Sequence, residues 1–519
     1  MRVLPESAWC VLMAALAGCS SGSGSDGGRG PSGSGGPWLA YSGGGVFALD
    51  LSARAAPPVT LDPSSNVGGL RTVESGTYSA ATGAVSGVQP HSAIWISGGR
   101  ILRAGVAAGT APSSAQVSSE SSVGDPSPLN PTPNHLCDTA VVVDWATPGD
   151  SRFFYTLAGS DRHCGGTDDV VKSTRLTSPS GEAPITLPGR RVSEIRSPST
   201  GAITGWLLID GTSRLVRTDA SFANPLQLAA SVGFAFVVGR APSHLLVLLQ
   251  SGSQPTVRRF DSAAGTLDTT ALFTLPGGIG ASIGATAQDD GTAYMMVFDG
   301  SWSLYRLALD ATQADSAVQM TSEAGRNVRG LLQLTTSKVV FIANVGGTDS
   351  LVAVDKTASG TTAAPALGAA QSPGTVLTLL GSAADKVYVN ATASGRTARA
   401  VTEVGADAVS QANAAWVGLA DVAGTRTAVL ASGLSGATNF GSATVSTVVA
   451  GTGSPGITLG ALPPELTTMD VLHWSGGTGL LRAFTDAQSA YGEIFFADAS
   501  AAGSLLRVTN TASVSESLP

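Results

Sequence analysis

From Trp38 onward the chain repeats one short unit: a β-rich run, a Gly or Asp-Gly turn, then a second run in which an apolar residue is followed two places later by Arg or a small residue. That pattern reads as a hairpin. The clearest copies run from Leu207-Leu208-Ile209-Asp210-Gly211 into Leu215-Val216-Arg217, and from Met296-Val297-Phe298-Asp299-Gly300 into Leu304-Tyr305-Arg306. Taking the first apolar residue of the second run as an anchor gives Val171, Leu215, Val257, Leu304, Leu351, Ala398, Thr444 and Ile494, spaced by 44, 42, 47, 47, 47, 46 and 50 residues. Val46 and Ile101 are two further candidates upstream, which brings the total to ten.

A period near 45 residues is the size of a four-stranded unit. Such a sheet cannot bury both faces alone, so the stable arrangement stacks the sheets radially about an axis. The expected fold class is therefore all-β, a β-propeller, with a single ring of seven to eight blades whose N-terminal strands close it. About ten blades, two tandem rings, or a pair of β-sandwiches are the alternatives. The hairpins near residues 210, 300 and 351 resemble those of TolB-like bacterial propeller repeats, whose Asp-Gly turn precedes a strand of the Leu-Tyr-Arg type, and that resemblance implies the same ring architecture. Composition agrees. Only 13% of the 519 residues are charged, while 65 glycines and 27 prolines supply turn positions, which favours many short strands over long helices.

The first residues carry an address rather than fold. Arg2 and the apolar run Ala8 to Ala17 have the layout of a secretory signal peptide, too short to span a bilayer. The run ends in Leu16-Ala17-Gly18-Cys19, which resembles the lipobox of bacterial lipoproteins. The resemblance implies cleavage before Cys19 and lipidation of that cysteine, hence a membrane partner through the N-terminal lipid. Two or more chains on one residue anchor a protein stably. Ser20 follows, where an Asp resembles an inner-membrane retention signal, so the expected location is the cell envelope, at the outer membrane if the cell is Gram-negative. The domains read as signal peptide 1–18, Gly/Ser-rich tether 19–37 and propeller body 38–519. The tether should behave as a coil of roughly 25 Å end to end.

Cys10 leaves with the signal and Cys19 carries lipid, so Cys137 and Cys164 remain in an oxidising compartment and are expected to form a disulfide. His135 and His163 beside them raise a zinc alternative, but adjacent His163 and Cys164 would point to opposite faces of a strand, and no metal is expected. Gly451 to Gly456 spells G-x-G-x-x-G, yet Pro463-Pro464 would stop the helix a dinucleotide needs, so it reads as a hairpin loop. Asp144, Asp210 and Asp299 occupy turn positions and are expected to cap their own backbone. Trp145, Trp206 and Trp302 are expected to pack between blades.

No catalytic or cofactor-binding residue and no cofactor is assigned from this pattern. The net charge of −8, with no run of five like charges, argues against nucleic acid. The expected function is a non-enzymatic binding or scaffold lipoprotein with a protein or glycan partner in the envelope. The alternatives are a glycan- or peptide-directed enzyme, or a surface adhesin or envelope-stability protein. The blade signature of the propeller lipoprotein of the outer-membrane β-barrel assembly machine, of the Asp-x-x-Thr-Gly-x-x-x-Trp type, is not found.

Overall fold

A computed structural model of the chain describes residues 38–508 apart from short stretches, the longest at 124–133 and 485–492. The signal, tether and Cys19 lie outside the described residues. Among those described there are ten antiparallel sheets, each built from strands consecutive in sequence and numbered here in chain order. The central strands are unbroken apolar runs such as Leu245–Leu249, Ala293–Val297 and Val339–Ala343, buried on both faces. A strand that is apolar on both sides needs a neighbour on each, and consecutive sheets supply them.

Each junction between sheets has its own apolar cluster. Trp38 and Trp95 belong to the cluster between sheets 1 and 2, Phe154 meets Trp206 between sheets 3 and 4, and Leu459 and Leu481 belong to the cluster between sheets 9 and 10. The succession runs through every junction. Phe496 of sheet 10 then packs against Tyr41 and Leu49 of sheet 1, which closes the ring. The first strand of a sheet lies beside the first strand of the next at most junctions, so these strands are innermost. This is the propeller class. The number of sheets departs from the expected seven to eight blades, and the first sheet stands as a separate unit (Trp38–Asp62) instead of lending strands to the last.

The anchors explain the difference. Ile101 and all eight anchors from Val171 to Ile494 fall on the third strands of sheets 2 to 10, and Val46 lies on the second strand of sheet 1. Ala398 and Thr444 look weak because their sheets pack through small residues such as Ala398, Ala400, Ala428 and Ala431, all under 2% exposed. Most innermost strands carry one extra residue relative to their partner, at Cys137, Val192, Val238, Gly284, Leu380, Val417 and Leu472. Such a bulge bends the strand and shifts its alternation by one place.

Candidate functional site: two opposite faces of the ring

In an up-and-down sheet the first-to-second turns all lie on one face, and the second-to-third turns lie on the other with the connections between sheets. Both faces hold polar groups. The first-to-second hairpin of sheet 2, Val67–Tyr78 and Val85–Ser97, is far longer than its counterparts. Its first strand passes the Pro148–Asp150 turn of sheet 3. Near its tip Tyr78 lies on Gly201 of sheet 4, and Gly83 comes against Pro242 of sheet 5. The hairpin is thus a strap across three successive sheets. Gly201 has φ +73°, and a Cβ there would sit 2.6 Å from Tyr78 Cγ, so both the backbone and the contact require glycine.

A charged relay lies on the inner strands that the strap crosses. Arg196 donates from Nη1 to the carbonyls of Val143 in sheet 3 (2.9 Å) and Gly201 (3.0 Å), and its Nε faces Glu194 at 3.3 Å. Arg240 of sheet 5 pairs with Glu194 at 3.0 Å and donates to Ser193 Oγ at 2.9 Å. The Gln288 amide of sheet 6 grips the Arg240 backbone, accepting from its N–H (2.7 Å) and donating to its carbonyl (2.6 Å). Burial alone would raise the Glu194 carboxyl, but Arg240, Arg196 and Arg191 outweigh it and hold it at about 2. A carboxylate ionised throughout the physiological range and shared between guanidiniums is a clamp rather than a proton carrier.

The opposite face carries an open groove of about 450 Å³ on sheet 8, where the connections from sheet 7 and to sheet 9 converge. Thr375, Ser394 and Asn413 offer polar atoms along it, and Arg399 is committed to Asp407 through three contacts of 2.9 to 3.2 Å. Arg396 also lines the groove, its guanidinium 5.5 Å over the Phe440 ring.

The residues singled out from sequence are distributed as follows. Cys137 and Cys164 are bonded, with Cα atoms 5.4 Å apart, joining the innermost strand of sheet 3 to its second-to-third turn. In that turn, exposed Asp161 accepts from the His163 N–H at 2.9 Å and Asp168 from the Ser160 N–H at 2.7 Å. Asp144, Asp210 and Asp299 act as turn caps: Asp210 accepts from the N–H groups of Thr212 and Arg214 at 2.9 and 3.0 Å, and Asp299 from Ser301 at 3.3 Å. Asp144 caps Ala146 and Thr147 and also accepts from Ile203 N–H of sheet 4. Trp206 is fully buried between Phe154 and Phe222, while Trp145 and Trp302 are half-buried. Pro455–Ala461, which begins within the Gly451 to Gly456 motif, is a strand and not a helix. Strap, relay and groove were not singled out from sequence. The overlong sheet 2 hairpin, with Glu74 and Tyr78 beyond the usual strand length, was the one available signal.

No protein family's sequence profile matches the chain, and no curated protein sequence matches it. Solved structures similar to it include a eukaryotic initiation factor, at 10% identity over 91% of this chain and 98% of that one, with a TM-score of 0.43. BamB from Moraxella catarrhalis matches at 11% identity over 56% and 78%, with a TM-score of 0.33. A puromycin-hydrolyzing peptidase of Mycobacterium tuberculosis matches at 11% over 72% of this chain and 53% of its own length, with a TM-score of 0.37. Likeness at this level carries nothing about activity, and the fold rests on the order and packing of the sheets themselves. No helix among the described residues is long and apolar enough to cross a membrane.

Proposed function

We propose that this chain is a membrane-anchored, extracytoplasmic lipoprotein whose propeller body binds a ligand or partner without transforming it. The observation that carries this reading is the division of labour between faces. Under the strap the charges satisfy one another, with Glu194 held ionised at about 2. The groove on sheet 8 stays open, with a guanidinium on its wall. Lipidation of Cys19 and the coil-like tether 19–37 would hold the body a few nanometres from the bilayer. A protein or glycan of the envelope is the expected partner.

The test has two arms. Cells expressing the full chain are fed an alkyne-bearing palmitate analogue and then fractionated. The chain should take up the label and sediment with membranes, and Cys19→Ala should lose both properties. An unlabelled wild-type chain would sink the anchoring. Purified protein is also incubated with glycan and peptide panels: turnover that co-purifies with the chain would overturn the non-enzymatic reading.

A further inference from the structure

Arg396 lies near the start of the third strand of sheet 8 (Arg396–Thr402), just after the Ser394-Gly395 turn. Its guanidinium rests over Phe440, which is itself 3% exposed and fixes the plane from beneath. Nε is shut away from solvent with no hydrogen-bond partner, so the group meets the groove through its two terminal nitrogens. Burial lowers its pKa and no carboxylate charge offsets that, which agrees with the absence of an ion pair to Arg396 among the described residues. An arginine so placed keeps its charge, because the guanidinium does not give up its proton in proteins.

The neighbouring pair sharpens the electrostatics. Arg399 and Asp407 cancel each other inside the same groove, leaving the single positive charge of Arg396. One net positive charge suits a carboxylate better than a phosphate dianion. A planar two-nitrogen edge also matches the two oxygens of a carboxylate. The volume, about 450 Å³, lies within the range of small-molecule sites. Thr375, Ser394 and Asn413 supply hydroxyl and amide groups for the body of such a ligand, while Ala391 and Ala412 keep the walls shallow.

We infer that the sheet 8 groove is a binding site for a small monocarboxylate with a polar body, held by Arg396. The acid could be the free C-terminus of a peptide or a uronic acid sugar, which share that chemistry. This deepens the binding reading and rests on it.

The experiment is calorimetric titration of the full chain in detergent, with saturation-transfer NMR on the ligand. The probes are N-acetyl-alanyl-alanine with its C-terminal amide, and D-glucuronate with methyl glucoside. At least one acid should bind, with its neutral counterpart about ten-fold weaker or silent, and the responding pair names the source of the carboxylate. That comparison uses the wild-type chain and survives any folding defect of a variant. Arg396→Gln should weaken the bound acid about ten-fold, Arg396→Lys several-fold through loss of the paired donors, and exposed Arg190→Ala should leave it unchanged. Equal binding of acid and neutral probe, binding indifferent to Arg396, or silence from both acids would overturn the inference. None of those outcomes touches palmitate labelling, so failure here is distinguishable from failure of the anchored-lipoprotein reading.

Discussion

Sheets 3 to 6 and sheets 9 and 10 solve the same packing problem in different ways. In the first group the inner strands are tied by charge: Val143, Arg196, Glu194, Arg240 and Gln288 form a chain of contacts through four successive sheets. In the second the junction is a broad apolar cluster including Val429, Val445, Leu459, Leu481 and Phe495. Apolar contact is non-directional and tolerates small adjustments, whereas a paired and desolvated charge fixes register. The relay lies where a long strap must find its place over three neighbours, and there precise positioning is most useful.

Breaking the relay should have the largest effect. Glu194→Ala strands Arg196 and Arg240 without their counter-charge and should cost about 4 kcal/mol in urea unfolding, against a smaller loss if Arg240 is removed as well. Parity between the single and double variants would erase the distinction between the two regions. In the same polar half, Cys137→Ser with Cys164→Ser opens a loop with a sequence separation of 27 and should cost roughly 3.5 kcal/mol in the chain-entropy picture. Leu459→Ala, in the apolar junction, should cost about 3 kcal/mol.

Acid separates the regions further. The Glu194 carboxyl is lower in the folded chain, about 2, than its ordinary 4.5. Its contribution is therefore complete above about 4.5 and fades as pH falls from there towards 2. Unfolding midpoints followed between pH 5 and 2 should fall more steeply for wild type than for Glu194→Gln, while Leu459→Ala should run parallel to wild type. The smallest effect belongs to Tyr78→Ala, about 1 kcal/mol, with faster amide exchange in the strap and none in sheets 9 and 10.

What could be read from the chain follows the same division. The third strands of sheets 2 to 10 were legible because a glycine shortly upstream and an anchor residue mark each one, while the tenth candidate, Val46, falls on the second strand of sheet 1. The innermost strands were not, since bulges at residues such as Val192, Val238 and Val417 break the two-residue alternation by which strands are recognised. The expected seven to eight blades came from not counting the upstream candidates Val46 and Ile101 as blades of their own, since ten exceeds the usual blade number. The relay was invisible because Glu194, Arg240 and Gln288 are 46 and 48 residues apart in sequence and meet only once the ring forms. Arg396 looks like any other strand arginine until Phe440 is placed beneath it.

The seam between sheets 10 and 1 has a mechanical consequence. Sheet 10 meets sheet 1 through Phe496, Tyr41 and Leu49, and no strand of one is hydrogen-bonded to the other among the described residues. A chain held at its N-terminal end would transmit tension to residue 38 and load that seam. Side-chain contacts would then peel in turn, without a ladder of hydrogen bonds to shear together. In an optical trap the first extension step should release sheet 1, residues 38–62, about 80 Å of contour at 3.3 Å per residue, before any other sheet yields.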